Sequence, residues 1–223
     1  LNMAKMAGSY FCTKCMKLEK CNGCGLPSKG SKISDGREIC GSCQNLGMND
    51  SEKANKMYLE IKKMLAGKFK IETTEDLPFS LIDKAELLKI RPNTSNMDRG
   101  LYRQNEVSNE KGVKHIKDRH IYILSYLPEN HFRNVVAHEL MHNWQANNYP
   151  QITDLKLIEG LAEYLAYLFN LEENDEDLAQ RKLENQDSIY GEGFRMVKEW
   201  DQGNGIQDIK DKLIELYGKP KQK

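Results

Sequence analysis

The sequence predicts an α+β fold with a small metal-binding module at its N-terminal end, and three observations support this prediction. All six cysteines come before residue 44, in three Cys-x-x-Cys pairs. Residues 120–127 are rich in β-branched and aromatic side chains, which is typical of a strand. Residues 130–148 and 153–170 have the apolar spacing of two long helices. We therefore divide the chain into a cysteine module, residues 1–48, and a mixed domain, residues 49–223.

Composition excludes several classes of function. Lys plus Arg and Asp plus Glu both number 33, so the formal net charge is zero and no overall field attracts nucleic acid or an anionic membrane surface. No stretch reaches the roughly 20 apolar residues of a membrane-spanning helix. Residues 1–10 are too short and too polar for a signal peptide. We expect a soluble protein with neither a nucleic-acid nor a membrane partner.

The cysteine module has the spacing of a structural zinc site. The pairs Cys21/Cys24 and Cys40/Cys43 enclose fifteen residues that include turn-forming Pro and Gly, as in sites with four thiolate ligands. A segment of about 40 residues with few large apolar groups buries too little surface to fold alone, so metal binding supplies the missing free energy. Clustered cysteines without a wider disulfide framework favour a reducing compartment, and we expect a cytoplasmic location.

The first pair, Cys12 and Cys15, has no second pair to complete a site of its own. Either the first half of the module is truncated, degenerate or completed in another way, or the three pairs compete for one ion and leave the spare pair free or oxidised. We expect the module to bind a protein partner or to support the domain that follows. A nucleic-acid-binding zinc ribbon is the alternative suggested by its lysines, but the module lacks an aromatic stacking surface and the chain has no basic excess.

The remaining elements are predicted from periodicity and from helix and strand breakers. Residues 120–127 are assigned to a strand at the sheet edge, packed against the following helix. The other elements, in chain order, are a helix from about 50 to 67, strands at 69–71 and 79–82, a helix or turn over 83–88, a surface loop or hairpin over 91–112, and helices from about 176 into the 180s and over 206–216.

A His-Glu-x-x-His pattern, His138-Glu-Leu-Met-His142, lies within the first long helix. Residues four apart project from one helical face, so both imidazoles can bind one Zn²⁺, while Glu139 is rotated enough to reach a water molecule. The alternative is a pair of buried structural histidines. The helical context favours a metal site.

The second long helix offers a third ligand. Glu159 follows His142 by seventeen positions, which is enough for a loop and an antiparallel helix to return. His, His and Glu form one of the usual ligand sets of catalytic zinc. Gly160 is expected to let this helix approach the first one closely. Glu163, one turn later, is placed to accept a hydrogen bond from a ligand imidazole, or else belongs to a solvated face.

The motif, the Glu159-Gly pair and the later segment Tyr190-Gly-Glu-Gly-Phe-Arg195 resemble the DA1-type peptidases, which carry a LIM-type zinc module before the catalytic domain. The resemblance covers residues 69–195, and the two cysteine pairs over 21–43 resemble the second half of a LIM module. It implies a zincin-like, gluzincin-type peptidase in which His138, His142 and Glu159 are the zinc ligands and Glu139 is the base. Plant relatives also carry ubiquitin-interacting helices, and we find none in this sequence.

The segment from Tyr190 to Arg195 also has an interpretation of its own. Two glycines around an acidic residue predict a sharp turn that brings a phenol or a guanidinium near the metal. Peptide hydrolysis needs a donor for the developing oxyanion, and Tyr190 and Arg195 are the candidates. The alternatives for this role are His115, His120 and His131, each of which has the simpler interpretation of a structural or surface histidine.

Together these features predict a zinc-dependent hydrolase that cleaves peptide bonds, with one catalytic Zn²⁺ and at least one structural Zn²⁺. Its partner is then a peptide or protein substrate. The alternative is a catalytically silent adaptor that binds partners through the zinc module. An intact Glu139 argues against the adaptor, because a structural site needs the two histidines but not the base.

Overall fold

The computed structural model of the protein describes residues 3–6, 9–93, 98–108 and 114–220. The cysteine module consists of short elements joined by turns. Strands β1 and β2 form one antiparallel pair, and strands β3 and β4 form another before a single short helix. These elements are β1 (Met3–Met6), β2 (Ser9–Cys12), β3 (Ser31–Lys32), β4 (Glu38–Ile39) and α1 (Gly41–Leu46).

The rest of the chain is built from long helices and one three-stranded sheet, so the predicted mixed α+β fold is confirmed. The four helices predicted after residue 129 are all present, within two residues of their expected starts. The elements are α2 (Ser51–Lys68), β5 (Phe79–Ile82), α3 (Lys84–Ile90), β6 (Gly100–Ser108), β7 (Lys114–Leu124), α4 (Glu129–Asn148), α5 (Leu155–Glu172), α6 (Glu176–Glu184), α7 (Tyr190–Lys198) and α8 (Ile206–Tyr217).

The sheet has the order β5-β7-β6, with β5 parallel and β6 antiparallel to β7. The prediction that residues 120–127 form an edge strand was wrong, because β7 is central and ends at Leu124. Part of the expected loop over 91–112 forms β6, which confirms the hairpin alternative there, while 94–97 and 109–112 lie outside the described residues. Tyr126 has a positive φ of 63°, so the chain turns away from the sheet before Leu127.

The strand expected at 69–71 is absent. Helix α2 continues to Lys68, and the positive φ of 54° at Lys70 then redirects the chain. Ile71 is fully buried. It is apolar because its loop packs into the core, not because it belongs to a strand. The loop is held by hydrogen bonds from the Thr74 amide to Asn143 Oδ1, 2.8 Å, and from the Tyr58 hydroxyl to the Leu77 carbonyl, 3.0 Å.

The turn expected at 190–195 is instead the first part of helix α7, and its glycines have a packing role. A Cβ atom added to Gly160 would lie 2.3 Å from the Gly193 carbonyl oxygen, so α5 and α7 approach each other closely at these two glycines. The expectation that Gly160 faces the first long helix was therefore wrong. This approach places the N-terminal end of α7, with Tyr190, beside the residues of α4.

The core lies between the sheet and helices α2, α4 and α5. Ile121 and Ile123 of β7 pack in one buried cluster with Phe132 and Leu140 of α4 and with Tyr164 of α5. Burial of this apolar surface holds α4 and α5 rigidly against each other and against the sheet. The polar residues of the long helices therefore have well-determined positions where the two helices face each other.

The cysteine module docks on the connection between β7 and α4. Met48 forms an isolated bridge with Leu127, and its amide donates to the Leu127 carbonyl at 2.8 Å. The guanidinium of Arg37 donates to the Ser125 carbonyl at 2.9 Å, and Asp35 accepts from the Lys84 amide at 2.8 Å. The module is thus fixed to the turn that leads directly into α4.

Candidate active site and metal centres

The His-Glu-x-x-His residues of α4 meet Glu159 of α5 at one point. The Nε2 atoms of His138 and His142 lie 3.0 Å apart, and Glu159 Oε2 lies 3.2 Å from the first and 3.4 Å from the second. The helical spacing places both imidazoles on one face of α4, and the packing of α5 against α4 brings the carboxylate to them. These three residues can hold a metal ion.

The Oε2 atom of Glu159 has an unusual environment. It is buried and accepts no well-aligned hydrogen bond from any residue in the described part of the chain, although both imidazoles are close. A buried carboxylate oxygen without a donor costs free energy. A cation held between the three ligand atoms satisfies this oxygen.

His138 is oriented by a buried chain of charges. Its Nδ1 atom lies 3.0 Å from Glu163 Oε1, as the sequence suggested, and the same oxygen accepts from Lys182 Nζ of α6 at 2.8 Å. Burial alone would raise the pKa of Glu163, but Lys182 and His138 lower it to about 2. Burial lowers the pKa of His138, and the carboxylates of Glu159 and Glu163 beside it more than offset this and raise it to about 10.

His142 is oriented by Gln145, one turn later on α4. Gln145 Nε2 donates to the Ile158 carbonyl at 2.8 Å, which turns its Oε1 atom toward His142 Nδ1 at 2.9 Å. The proton of His142 then resides on Nδ1, and the Nε2 lone pair faces the metal position. Neither Gln145 nor Lys182 was predicted from the sequence. The i, i+3 spacing from His142 was a signal for Gln145, whereas nothing local distinguishes Lys182 from other surface lysines.

Glu139 lies beside the three ligands and is held by the sheet. It is only 6% exposed, and its Oε2 atom accepts from the Tyr102 amide of β6 at 2.7 Å. A Cβ atom added to Gly100 would lie 2.6 Å from Glu139 Oε1, so this glycine makes room for the carboxylate. Burial raises the pKa of Glu139, although the neighbouring imidazoles His138 and His142 act in the opposite direction.

Tyr190 reaches the site, and Arg195 does not. The Tyr190 ring centroid lies 6.4 Å from that of His138, and Tyr190 lines the cleft that also contains His138, His142 and Glu159. Burial, and then the negative charge of Glu159, raises the pKa of Tyr190, so its phenol stays protonated. Arg195 lies on α7, where its guanidinium donates to the Asn185 carbonyl at 2.7 Å and does not line the cleft.

The histidines outside the motif have other contacts. His120 Nε2 lies 2.9 Å from Ser80 Oγ, and its ring stacks on that of Tyr122. His131 Nδ1 lies 3.0 Å from Arg99 Nη1, at one end of the cleft. The side chain of His115 lies outside the described part of the chain.

The second candidate metal centre is formed by Cys21, Cys24, Cys40 and Cys43, whose sulfur atoms lie within 4.8 Å of one another. The Cys21 sulfur accepts from the Gly23 amide at 3.3 Å and from the Cys40 amide at 3.2 Å. Such amide donors stabilise thiolates. Cys12 and Cys15 lie 3.4 Å apart at their sulfurs and are not part of this four-cysteine group.

Both regions of the chain line one cleft of about 1560 Å³. His138, His142 and Glu159 of α4 and α5 line it together with Cys21, Asn22 and Gly25 of the cysteine module. This volume exceeds the roughly 300–1,000 Å³ of typical small-molecule pockets, and it suits a segment of polypeptide. Among the described residues no helix combines the length and the apolar character needed to cross a membrane.

Comparison with known proteins relates this chain to a family of peptidases. A family model described as "Peptidase of plants and bacteria" matches residues 85–202. Two curated relatives from Arabidopsis thaliana, Protein DA1-related 1 and Protein DA1, are each 22% identical to this chain in alignments of 191 and 186 positions that cover 73% and 70% of it. The chain spans about a third, 33%, of each relative. No solved structure matches it.

Proposed function

The chain belongs to the peptidase family of plants and bacteria, with DA1-type relatives as its sequence predicted, and from this premise we propose that it is a zinc-dependent peptidase. His138, His142 and Glu159 hold the catalytic ion, and the substrate is a peptide or an extended segment of a protein. The arrangement of sheet and helices is zincin-like. The catalytic domain occupies residues 49–223, after the cysteine module.

The observation that carries this proposal is the spacing of the three ligand atoms. Their separations of 3.0, 3.2 and 3.4 Å are close to the roughly 3.3 Å edge of a tetrahedron with zinc–ligand bonds of about 2.0–2.1 Å. Three protein ligands would leave a fourth coordination position for water, as in other catalytic zinc sites. When bound, Zn²⁺ polarises the scissile carbonyl and lowers the pKa of the attacking water.

Glu139 is the general base in this proposal. Its carboxylate takes the proton of the attacking water and passes it to the leaving amine. The hydrogen bond from the Tyr102 amide fixes its orientation, and burial, by raising its pKa, makes it a better proton acceptor. Gly100 leaves room for this carboxylate, because a side chain there would clash with Glu139.

Tyr190 donates a hydrogen bond to the oxyanion that develops on the scissile carbonyl. Its protonated phenol lines the cleft near His138. Arg195, the other candidate from the sequence, is already engaged by the Asn185 carbonyl and takes no part in the proposed mechanism.

The cysteine module holds a structural Zn²⁺ through Cys21, Cys24, Cys40 and Cys43. The Cys24 and Cys40 sulfurs are 4.0 Å apart, near the roughly 3.8 Å edge expected for zinc–sulfur bonds of about 2.3 Å. The first role of the cysteine module in this proposal is to form part of the cleft wall. A separate protein partner for the module and a cytoplasmic location stay predictions from the sequence.

Metal analysis joined to an activity assay tests the proposal. We expect two zinc equivalents in the wild type and one in His138→Ala, with hydrolysis of a casein-derived peptide library only by the wild type. The library activity should disappear with a chelator and return with Zn²⁺. A wild-type protein that binds two zinc ions and cleaves no peptide or protein favours the silent adaptor instead.

A further inference from the structure

Arg99 is a cation of the cleft that the proposed mechanism does not use. It directly precedes strand β6 and lines the cleft together with the metal-binding residues. Its Nη1 atom lies 3.0 Å from His131 Nδ1 of α4, and in the described part of the chain the Arg99 side chain makes no other hydrogen bond and no carboxylate ion pair. A guanidinium has five N–H donors, so most of those on Arg99 are available to a ligand.

A second cation lies near Arg99. Arg181 of α6 is fixed by an ion pair with Asp177, 3.0 Å, and by a hydrogen bond to the Cys24 carbonyl, 3.4 Å. Burial, and then repulsion by Arg181, lowers the pKa of Arg99. An anion bound at Arg99 relieves this repulsion.

The protein groups around Arg99 do not replace such an anion. Burial, with the positive charges of Arg99 and Arg181, lowers the pKa of His131 to about 3, so this imidazole is a neutral acceptor. The cysteine cluster attracts Arg99 at longer range, but none of its sulfurs accepts a hydrogen bond from the guanidinium. The unpaired donors of Arg99, in a cleft that Arg181 also lines, favour a ligand with oxygen acceptors.

The distance between Arg99 and the proposed catalytic zinc indicates how many residues of a bound peptide separate the scissile bond from the group that Arg99 binds. His131 and His138 are seven residues apart on α4, which is about 10 Å along the helix. An extended peptide covers this distance in about three residues. A substrate whose main chain runs from the proposed metal position toward His131 would therefore reach Arg99 about three residues from the scissile bond.

We propose that Arg99, seated against His131 and close to Arg181, is a specificity subsite that binds a carboxylate of the peptide substrate about three residues from the scissile bond. The proposal rests on the peptidase function and deepens it. The carboxylate is either an acidic side chain or the C-terminal carboxylate of a short substrate. Arg is suited to both, because its planar fork binds carboxylate oxygens in a bidentate manner.

Matched peptides test the subsite. One set carries Glu or Gln at single positions two to four residues on either side of the scissile bond, and a second set has a free or an amidated C-terminus. We expect kcat/KM to favour one carboxylate peptide over its neutral partner by roughly 10- to 100-fold, the value of a charge-assisted hydrogen bond. Preference in the first set identifies an acidic side chain, and preference only in the second identifies the C-terminal carboxylate.

Two variants assign the preference to Arg99. In Arg99→Gln the ratio between carboxylate and neutral peptides should fall to about one, whereas Arg99→Lys, which keeps the charge without the fork, should retain part of it. Arg103→Gln is the control, because Arg103 lies four residues further along, on β6, is exposed and does not line the cleft. An unchanged ratio in Arg99→Gln, or no preference in the wild type, overturns the proposal.

A binding measurement shows whether the subsite proposal or the peptidase proposal is wrong. Fluorescence anisotropy with the zinc-loaded Glu139→Gln protein measures affinity for the same labelled peptides without turnover. If no peptide is cleaved but affinity still depends on the carboxylate and on Arg99, the subsite is correct and the peptidase function is wrong. If peptides are cleaved and neither affinity nor kcat/KM depends on the carboxylate, the subsite is wrong. Two bound zinc equivalents in Arg99→Gln or Arg99→Lys show that the variant has folded.

Discussion

The two candidate metal centres differ in how they depend on the rest of the fold. The four cysteines come from a turn and from the start of the short helix α1, with only a small buried cluster around Ile39. The ligands His138, His142 and Glu159 come from two long helices packed into the main core. We therefore expect the first region to need a metal to hold it together, whereas the packed helices already hold the residues of the second site in place.

The largest effect that tests this comparison is expected for Glu159→Ala. Removing one of three ligands should abolish tight zinc binding at α4 and α5 and reduce hydrolysis to background, while the helices stay folded and the module keeps its own zinc. Zinc content and the circular dichroism spectrum measure both parts of this prediction. Global unfolding of the variant would show that the second site, like the first, depends on its metal.

Glu139→Gln should leave both metals and the fold intact. Losing the general base should lower kcat by at least roughly 100-fold, because the amide does not take a proton from water. Steady-state kinetics on zinc-loaded protein, with the metal content measured in the same sample, is the appropriate assay. Wild-type rates in that sample would remove Glu139 from the mechanism.

Glu163→Ala should weaken zinc binding by roughly 10- to 100-fold without abolishing it, as expected for a group that orients a ligand imidazole. Lys182→Met, which leaves Glu163 in contact with His138, should have a smaller effect in the same direction. Chelator competition gives both dissociation constants. If Glu163→Ala proves more damaging than Glu159→Ala, the ligand assignment must be reversed.

The smallest catalytic effect is expected from the cysteine module. Cys21→Ser combined with Cys24→Ser should release about one zinc equivalent and expose residues 1–48 to proteolysis, while the catalytic zinc stays bound. Because Asn22 and Gly25 line the cleft, KM should rise by roughly 2- to 10-fold, the value of one or two neutral contacts, with little change in kcat. Loss of the catalytic zinc in this double variant would show that the two centres are coupled through the turn at Ser125 and Leu127.

Much of the fold was predictable because it depends on local periodicity. The helices that carry the motif and Glu159 follow from apolar spacing, and helical geometry brings His138 and His142 to one face. The errors arose where local patterns have two structural explanations. Ile71 is apolar because its loop packs into the core, not because it lies in a strand. The glycines at 191 and 193 do not form a turn but belong to a helix that packs closely against its neighbours.

The sequence by itself determined the metal-binding chemistry, since residue types at helical and Cys-x-x-Cys spacings limit what a site can bind. Only the tertiary structure decided which distant residues support and surround that site. Lys182 reaches Glu163, Tyr190 reaches His138, and the cysteine module becomes a wall of the cleft. The physical reason is that a polar residue on an amphipathic helix has the same local pattern whether it faces water or a buried partner. That choice depends on how separate elements pack, and packing is set by contacts far apart in the chain.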